Sequence, residues 1–374
     1  MSEPKLELLV GAAAFWDRAK ADMAAASRRV LVQAMTFEAD AAGRSVADAV
    51  LAASAADRRV LVDDYTRNVI NDTMLPLPFR PAAVKQEAAD TLAMFGDMAA
   101  QGVGVRITNP VLGHPLRYPL RNHKKLLVLD DAAYIGGINF SDHNFAWHDL
   151  MLRIQSPAMA DWLAADFAAD WAGRPMAAKA AFGPIELISF DGDGARNAAL
   201  FEPLLDLVRG AKRSVDMISA YPTMPFVAAF AQAARAGARA TIYTSAASNK
   251  PVVRDYLIGV AGTAGVELRL TPDMTHAKAL LIDGETLLLG SSNFNFASYR
   301  TSSDYVAVLR DPALIAAFER ELLGPARENA MAAAELKIPA WRKLRGRLAL
   351  EFADAALARL RHGPVRVIDW PVSE

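Results

Sequence analysis

The stretch RNHKKLLVLDDAAYIGGIN, residues 121–139, decides the fold, because it recurs in altered form as THAKALLIDGETLLLGSSN at residues 275–293. Each stretch contains His-x-Lys, four intervening residues and Asp, followed by Gly-x-x-Asn. The two sets of frame residues are His123, Lys125, Asp130, Gly136 and Asn139, and His276, Lys278, Asp283, Gly290 and Asn293. A repeated frame of this kind indicates an internal duplication.

The spacing within each frame predicts a local structure. Alternate residues of a strand face the same side, so each His-x-Lys pair presents an imidazole and an ammonium together. The aspartates should turn the chain, because Asp-Gly, present at Asp283–Gly284, is a strong hairpin signal. The glycine follows six positions after Asp130 but seven positions after Asp283.

The segments before each frame follow the same order of elements. In the first half, residues 28–37 read as a strand, 42–58 as a helix and 59–65 as a second strand. In the second half, residues 212–221 read as a strand and 224–245 as a helix, a glycine break and a strand. Strand–helix–strand order indicates a parallel βαβ unit, so we predict an α/β fold made of two similar halves.

We place the domain boundaries at residues 1–180, 181–323 and 324–374, the last being a helical tail. The first half is longer between strand and motif because of residues 66–95, which predict an irregular loop followed by a helix. This insertion is either part of a substrate-binding mouth or a surface addition.

Composition excludes several classes of protein. The 374 residues are 53% hydrophobic and contain no cysteine, which excludes disulfides and thiolate catalysis. The formal net charge of -1 offers no global attraction to polyanions, so no nucleic-acid partner is expected. The first residues lack the features of a secretory signal, and no uncharged apolar run reaches the ~20 residues that span a bilayer. We expect a cytoplasmic protein, either soluble or peripheral on the inner face of the membrane.

Two imidazoles and two ammonium groups suit the chemistry of a phosphodiester. Lys125 and Lys278 can neutralise the charge that develops on the phosphoryl oxygens. One imidazole can attack phosphorus to form a phosphohistidine, while the other exchanges protons with the leaving and entering alcohols. Asn139 and Asn293 can add hydrogen bonds. No metal or cofactor is expected there, because lysine repels cations, and we expect one site on the axis between the halves.

The two frames match the doubled His-x-Lys-x4-Asp motif of the phospholipase D superfamily. Residues 121–142 and 147–171 resemble the first half of bacterial cardiolipin synthases, and residues 276–298 resemble the second. The resemblance covers most of residues 5–325 and favours the type without N-terminal transmembrane helices. It implies an α/β sandwich of two halves related by a pseudo-twofold axis, each with a mixed sheet flanked by helices.

The resemblance also implies roles for residues outside the His-x-Lys pairs. Asp149 and Asp304 would orient the two histidines, as acidic partners do in hydrolase triads. Ser291 would contact a substrate phosphate, whereas Gly137 stands where the general pattern has serine.

Within the frames, the resemblance separates structural from reactive residues. It implies that Asp130 and Asp283 support the fold together with the frame glycines, Gly136 and Gly290. It favours His123 as nucleophile and His276 as general acid and base, although the symmetry of the motifs leaves that order open.

The remaining histidines and two arginines carry weaker expectations. We expect His114, His143, His148 and His362 to be satisfied or at the surface, although His148, next to Asp149, could instead line the pocket. Arg117 and Arg121 could bind a second phosphate or headgroup, or could lie in a solvated loop.

Residues 337–363, KIPAWRKLRGRLALEFADAALARLRHG, predict a basic amphipathic helix. Its apolar face comprises Trp341, Leu344, Leu348 and Phe352, and its basic cluster comprises Lys337, Arg342, Lys343, Arg345 and Arg347. Such a helix either lies on an anionic membrane or packs on the protein's own core.

The leading functional hypothesis is a phosphatidyltransferase of the cardiolipin synthase type, with phospholipid as substrate. The alternatives are a phospholipase D that uses water as acceptor, a nuclease or other phosphodiesterase, and a non-catalytic lipid-binding protein. The sequence leaves the oligomeric state open.

Overall fold

The structure, a computed structural model, describes residues 4–74, 81–111, 117–360 and 365–370. It divides into two compact units, residues 1–176 with 363–374, and residues 177–362. The helix of the expected tail therefore groups with the second unit, and the last strand groups with the first. Each unit is one mixed sheet flanked by helices, which confirms the predicted fold class.

Up to residue 176, the described part of the first unit contains ten strands and six helices. Its strands are β1 (Lys5–Val10), β2 (Arg29–Ala34), β3 (Asp57–Asp63), β4 (Val69–Ile70), β5 (Thr73–Met74), β6 (Gly104–Thr108), β7 (Arg121–Asn122), β8 (Leu126–Leu129), β9 (Ala132–Gly136) and β10 (Leu150–Gln155), all within its described residues. Its helices are α1 (Ala12–Ala25), α2 (Ala41–Ala52), α3 (Tyr65–Asn68), α4 (Ala82–Ala100), α5 (Asp142–Ala146) and α6 (Pro157–Trp171).

The second unit repeats this alternation. Its strands are β11 (Ala178–Phe182), β12 (Ile185–Ser189), β13 (Ser214–Ser219), β14 (Arg239–Ser245), β15 (Glu267–Thr271), β16 (Lys278–Ile282), β17 (Thr286–Gly290), β18 (Ser302–Ser303), β19 (Tyr305–Leu309) and β20 (Met331–Ala332). Its helices are α7 (Gly194–Arg209), α8 (Phe226–Arg235), α9 (Pro251–Val260), α10 (Phe296–Arg300), α11 (Pro312–Phe318), α12 (Gly324–Asn329) and α13 (Ala340–Leu357). The last strand of the chain, β21 (Val367–Asp369), returns to the first unit.

The two sheets share one order of eight strands, and the second has an additional edge strand, β11. The first runs β1-β10-β9-β8-β2-β3-β6-β21, and the second runs β11-β12-β19-β17-β16-β13-β14-β15-β20. In each, three strands are parallel, β2-β3-β6 and β13-β14-β15, and the motif strand, β8 or β16, joins them antiparallel. The predicted duplication is therefore present in the topology.

Helices cover both faces of each sheet, which explains why the central strands read as continuous apolar runs. In β8 all four residues are buried, and in β16 all five are buried. Burial on both faces holds the motif strands rigidly near the middle of their sheets.

The insertion before the first motif contains the predicted helix, α4. Before it, β4 and β5 form a short antiparallel hairpin, while residues 75–80 lie outside the described part of the chain. Among the described residues, none of the helices combines the length and the apolar character needed to cross a bilayer.

The motif aspartates turn the chain, as predicted. Asp130 and Asp283 both adopt the left-handed conformation, with φ of 50° and 54°. Leu129 pairs with Ala132 in the first hairpin, whereas Ile282 pairs with Thr286 in the second. The second turn is thus one residue longer, which accounts for the different spacing of the two glycines.

The carboxylate of each turn aspartate binds the start of the neighbouring strand. Asp130 accepts the backbone N–H groups of Ser27, Arg28 and Arg29, each at 2.9 Å. Burial opposes this charge, but these hydrogen bonds hold the pKa of Asp130 below its usual range.

The second copy repeats this arrangement. Asp283 accepts the N–H groups of Lys212, Arg213 and Ser214 at 2.7–3.1 Å. Its pKa is likewise lowered, again by the hydrogen bonds and against the effect of burial.

Replacing either turn aspartate by asparagine should destabilise the unit that carries it. Asp130→Asn puts an amide donor where an acceptor is required, at an expected cost of about 2 kcal/mol in the free energy of unfolding, and Asp283→Asn should behave alike. In the wild type, the contribution of each aspartate to the free energy of unfolding should be lost as the pH falls below about 4, because the pKa of the carboxyl group is depressed in the folded state. Urea unfolding between pH 3 and pH 7 measures both effects.

The neighbouring Asp131→Asn is the matched control. Its side chain is 43% exposed and pairs with Arg28 at the surface, so its loss should cost less than about 1 kcal/mol. Equal losses for Asp130→Asn and Asp131→Asn would show that the backbone hydrogen bonds are unimportant.

Candidate active site

The first His-x-Lys pair enters the sheet just before β8. Lys125 is fully buried and His123 is 9% exposed. The Nζ atom of Lys125 donates a hydrogen bond to the carbonyl oxygen of His123 at 2.7 Å. The ammonium is therefore held next to the backbone of its motif histidine.

The second pair has the same local structure. Lys278 is fully buried and its Nζ donates to the carbonyl oxygen of His276. Tyr221 meets the His276 ring edge-on, with centroids 5.9 Å apart. Lys250 lies 4.4 Å from the centroid of the Tyr221 ring. Sequence reasoning missed Tyr221, although it stands two residues after the end of strand β13, where parallel strands commonly carry functional side chains.

The frame glycines allow the next strand to approach closely. A Cβ atom on Gly136 would lie 2.3 Å from the carbonyl oxygen of Leu150, and one on Gly290 would lie 2.1 Å from that of Tyr305. No side chain fits at either position without moving backbone. The strands that follow Asp149 and Asp304 are thereby brought against the motif.

Asp149 occupies the space that a side chain at Gly137 would fill. A Cβ on Gly137 would lie 2.2 Å and 2.5 Å from the two carboxylate oxygens of Asp149. Asp149 is 1% exposed, and its Oδ1 accepts the N–H of Leu150 at 2.8 Å. The glycine in place of serine therefore makes room for a buried carboxylate.

The second copy supports its carboxylate by a hydrogen bond instead. Ser291 is fully buried, and its hydroxyl donates to Oδ1 of Asp304 at 2.6 Å. The hydroxyl oxygen of Ser291 in turn accepts the backbone N–H of Tyr305 at 2.9 Å. Since Ser291 has one hydroxyl proton, the expected phosphate contact would require it to leave Asp304.

The frame asparagines tie the motif to the strand beside it. Oδ1 of Asn139 accepts the N–H of Thr36 at 3.2 Å, just beyond β2. Its Nδ2 donates to Asn144 at 3.4 Å. In the second copy, the backbone carbonyl of Asn293 accepts the Ser219 hydroxyl, while its Oδ1 is buried without a hydrogen-bond donor among the described residues.

The family model described as "Cardiolipin synthase, PLD-like domain" matches residues 20–171 and 204–324. The chain belongs to this phospholipase D family. The family prediction is thereby confirmed.

Individual relatives agree with the family match. Cardiolipin synthase B of Salmonella typhimurium is 24% identical over 339 residues, covering 82% of this chain and 76% of that protein. Cardiolipin synthase of Listeria welshimeri is 24% identical over 240 residues, covering 57% of this chain and 49%, or about half, of its own length. Phosphatidylserine synthase of Haemophilus influenzae shares the fold, with a TM-score of 0.73 at 14% identity over 94% of each chain.

The two halves of this phospholipase D-like chain differ behind the motif. Lys124 is fully buried and pairs with Asp166 at 2.6 Å and Asp170 at 3.1 Å, both on α6. Burial alone would lower the pKa of Lys124, but these carboxylates outweigh it and raise the value. Ala277 takes the corresponding place in the second copy and is also fully buried.

Arg121 does not lie in a solvated loop. It is 7% exposed and forms an ion pair with Asp63 at 2.6 Å. Asp63 also accepts the N–H of Asn122 at 2.6 Å, so this pair fixes the residue before His123. The Arg121 guanidinium is thus used in the protein interior, and Arg117, whose carbonyl accepts from it, is half-buried.

The remaining histidines follow their expectations where they are described. His148 is exposed, and His143 is half-buried with its ring hydrogen-bonded to Ser141 and Asn144. His114 and His362 lie outside the described residues.

Alanine substitutions at glycines should rank by what the added Cβ would meet. Gly136→Ala forces a backbone carbonyl aside and should lower the free energy of unfolding by about 3 kcal/mol or more. Gly137→Ala meets side-chain atoms of Asp149 rather than backbone, and should cost less. Urea unfolding of the full chain measures this order.

Gly262→Ala serves as the control, because no atom lies within 4 Å of its added Cβ. It should change stability by less than about 0.5 kcal/mol. A Gly136→Ala protein as stable as this control would contradict the close strand approach.

Proposed function

We propose that the protein is a phosphatidyltransferase that moves a phosphatidyl group from a phospholipid to an alcohol through a phosphohistidine. The observation that carries this proposal is the local structure common to both motifs. In each, a fully buried ammonium is hydrogen-bonded to the carbonyl of its own motif histidine. A cation held in a fixed position can stabilise charge on a phosphoryl group without reorganising during the reaction.

The first step forms the covalent intermediate. An imidazole nitrogen of His123 bonds to phosphorus, and the bond from phosphorus to the leaving alkoxide breaks. His276 gives its proton to that alkoxide. Lys125 and Lys278 stabilise the charge on the phosphoryl oxygens, and Asn139 and Asn293 assist.

The second step releases the product. The acceptor hydroxyl gives its proton to His276 while its oxygen bonds to phosphorus, and the phosphorus–nitrogen bond breaks. The buried carboxylates, Asp149 and Asp304, would favour the charged form of each imidazole during these transfers.

The choice of lipid comes from the names of the relatives. Those of Salmonella and Listeria are cardiolipin synthases, and the Haemophilus structure is a phosphatidylserine synthase. These names support an anionic glycerophospholipid such as phosphatidylglycerol as donor, with an alcohol as acceptor. With water as the acceptor, its oxygen would bond to phosphorus as the phosphorus–nitrogen bond breaks, and the same intermediate would release phosphatidic acid.

We further propose that α13 rests on the membrane that holds this substrate. One face of the helix packs on α9, where a Cβ on Gly346 would lie 2.9 Å from backbone atoms of Val252 and Tyr256. The predicted apolar face points elsewhere, and its members are 56–77% exposed: Trp341, Leu344, Leu348 and Phe352. The packing and the exposed stripe thus occupy different faces of one helix.

Charge favours an anionic lipid surface as the occupant of this stripe. Arg345 lies 5.3 Å from the Trp341 ring centroid and is itself exposed, as is Lys337. Arg342 and Arg347 are partly compensated by Asp255 and Glu351. Each cation near an anionic surface contributes about 1 kcal/mol, and exposed aromatic residues anchor at the headgroup layer.

The transferase proposal predicts the products formed on phosphatidylglycerol vesicles. Lipid mass spectrometry should show cardiolipin and glycerol from the wild-type protein. His123→Ala and His276→Ala should each lower turnover at least about a thousandfold. His148→Ala, a change at an exposed histidine, should leave it intact.

The same variants assign the two roles on a phosphatidyl ester of p-nitrophenol, whose leaving group needs no proton. His276→Ala should release one equivalent of nitrophenolate and retain the phosphohistidine, whereas His123→Ala should release none. The reverse pattern would exchange the roles. Phosphatidic acid as the sole product would make the protein a hydrolase, and the absence of any lipid turnover would refute the proposal.

The membrane proposal predicts selective binding to anionic vesicles. The double substitution Trp341→Ala and Phe352→Ala should weaken co-sedimentation with phosphatidylglycerol-containing vesicles about tenfold or more. High salt should weaken it as well, because exposed charges are screened. Vesicles of pure phosphatidylcholine should bind poorly.

Leu207→Ala is the matched control, because Leu207 is an apolar residue on α7 that is 37% exposed. It should bind as the wild type does. If the double variant binds vesicles as tightly as the wild type, α13 does not contact the membrane. If the wild type is a dimer and the double variant is a monomer, the exposed stripe instead binds a second copy of the chain.

A further inference from the structure

Three carboxylates from separate parts of the first unit converge near the end of β2. Glu38 follows that strand, Asp40 precedes α2 and Glu87 lies in α4. One carboxylate oxygen of each lies within 4.8 Å of the others. Two ligands of one Ca²⁺ ion, each at 2.3–2.6 Å, stand at most about 5 Å apart, so a single ion can touch all three.

Glu38 is the group whose burial is otherwise unexplained. Its side chain is 1% exposed, and Oε2 accepts the N–H of Asn71 at 3.1 Å. Oε1 is buried, and no hydrogen-bond donor reaches it among the described residues. A buried carboxylate oxygen without a donor carries a large desolvation cost unless a cation or a proton binds it.

The surroundings do not supply the missing positive charge. Within the described part of the chain, no lysine or arginine pairs with Glu38, Asp40 or Glu87. Arg44, the nearby arginine, donates to the carbonyl of Ala39 and pairs instead with Asp90 at 3.8 Å.

His143 does not supply it either. Its Nδ1 lies 4.0 Å from Oε2 of Glu38, but burial lowers its pKa, although the carboxylates of Asp72, Asp40 and Asp142 oppose that effect.

The pKa values of the three carboxyl groups agree with this lack of nearby positive charge. Burial raises the pKa of Glu38 to about 8, and Asp40, Glu87 and Asp72 add to the rise. Burial likewise raises the pKa of Asp40 and of Glu87. The three carboxylates therefore repel one another, and burial adds to the cost of their charges.

We propose that Glu38, Asp40 and Glu87 form a binding site for a hard divalent cation of the size of Ca²⁺. All three ligands are oxygens, which such ions prefer, and water would complete the coordination. None of the three is a motif residue, and the site takes no part in the proposed transfer steps.

The ion would join segments that are far apart in sequence. Asp40 accepts the N–H of Asp142 at 2.5 Å, at the start of α5. The same helix carries Asn144, the partner of Asn139. A cation here would thus stabilise the first unit, including the segment that positions a motif asparagine.

The test is calorimetric titration of the full, chelator-treated protein with CaCl₂ at pH 7.5, together with its melting temperature. Wild-type protein should bind one Ca²⁺ per chain and melt several degrees higher with the ion. Glu38→Gln and Glu87→Gln should each weaken binding at least about tenfold. Both should melt at or above the wild type in chelator, because each removes a repelling charge.

Asp97→Asn, an exposed acid on the same helix α4, should bind Ca²⁺ as the wild type does. Equal affinity in Glu38→Gln would place the ion elsewhere and overturn the proposal. The absence of Ca²⁺ binding to the wild-type protein would overturn it as well.

Discussion

The hydrogen bonds from strand-start amides to the turn aspartate constrain each half of the molecule. At the edge of a hairpin these N–H groups have no partner in the sheet, and one carboxylate accepts three of them. The contact joins residues about one hundred positions apart and aligns β8 with β2, so it fixes the strand that begins after His123. Asp283 does the same for β16 and β13. The close strand approach at Gly136 and Gly290 extends this alignment to the strands that follow Asp149 and Asp304.

Duplication has preserved the backbone of the two motifs and changed what supports them. A buried ion cluster lies behind the first pair at Lys124, whereas Ala277 lies behind the second. Asp149 packs directly on Gly137, whereas Asp304 accepts a hydrogen bond from Ser291. Two chemically identical His-x-Lys pairs therefore stand in different surroundings. Such a difference is what two distinct roles, nucleophile and proton carrier, would require, because the tuning of an imidazole depends on its neighbours.

The sequence of helix α13 was compatible with packing on the protein's own core and with contact to a membrane, and the helix has one face for each. Its periodicity identifies an apolar stripe, and such stripes usually pack on the core. Here the packing uses another face, where Gly346 permits backbone contact with α9, and the stripe stays exposed. Periodicity alone cannot distinguish these outcomes, since it reports which residues share a face and not what that face meets.

The sequence by itself determined the duplication, the α/β class, the hairpin turns at Asp130 and Asp283, and the residue types of the candidate site. These features depend on local spacing and on backbone preferences that act over a few residues. Only the tertiary structure decided the partners of Arg121 and Ser291, the place of Tyr221 beside His276, and the meeting of Glu38 with Glu87. Those outcomes depend on which strands and helices become neighbours, and a charged or polar side chain carries no sequence mark of the partner that burial will give it.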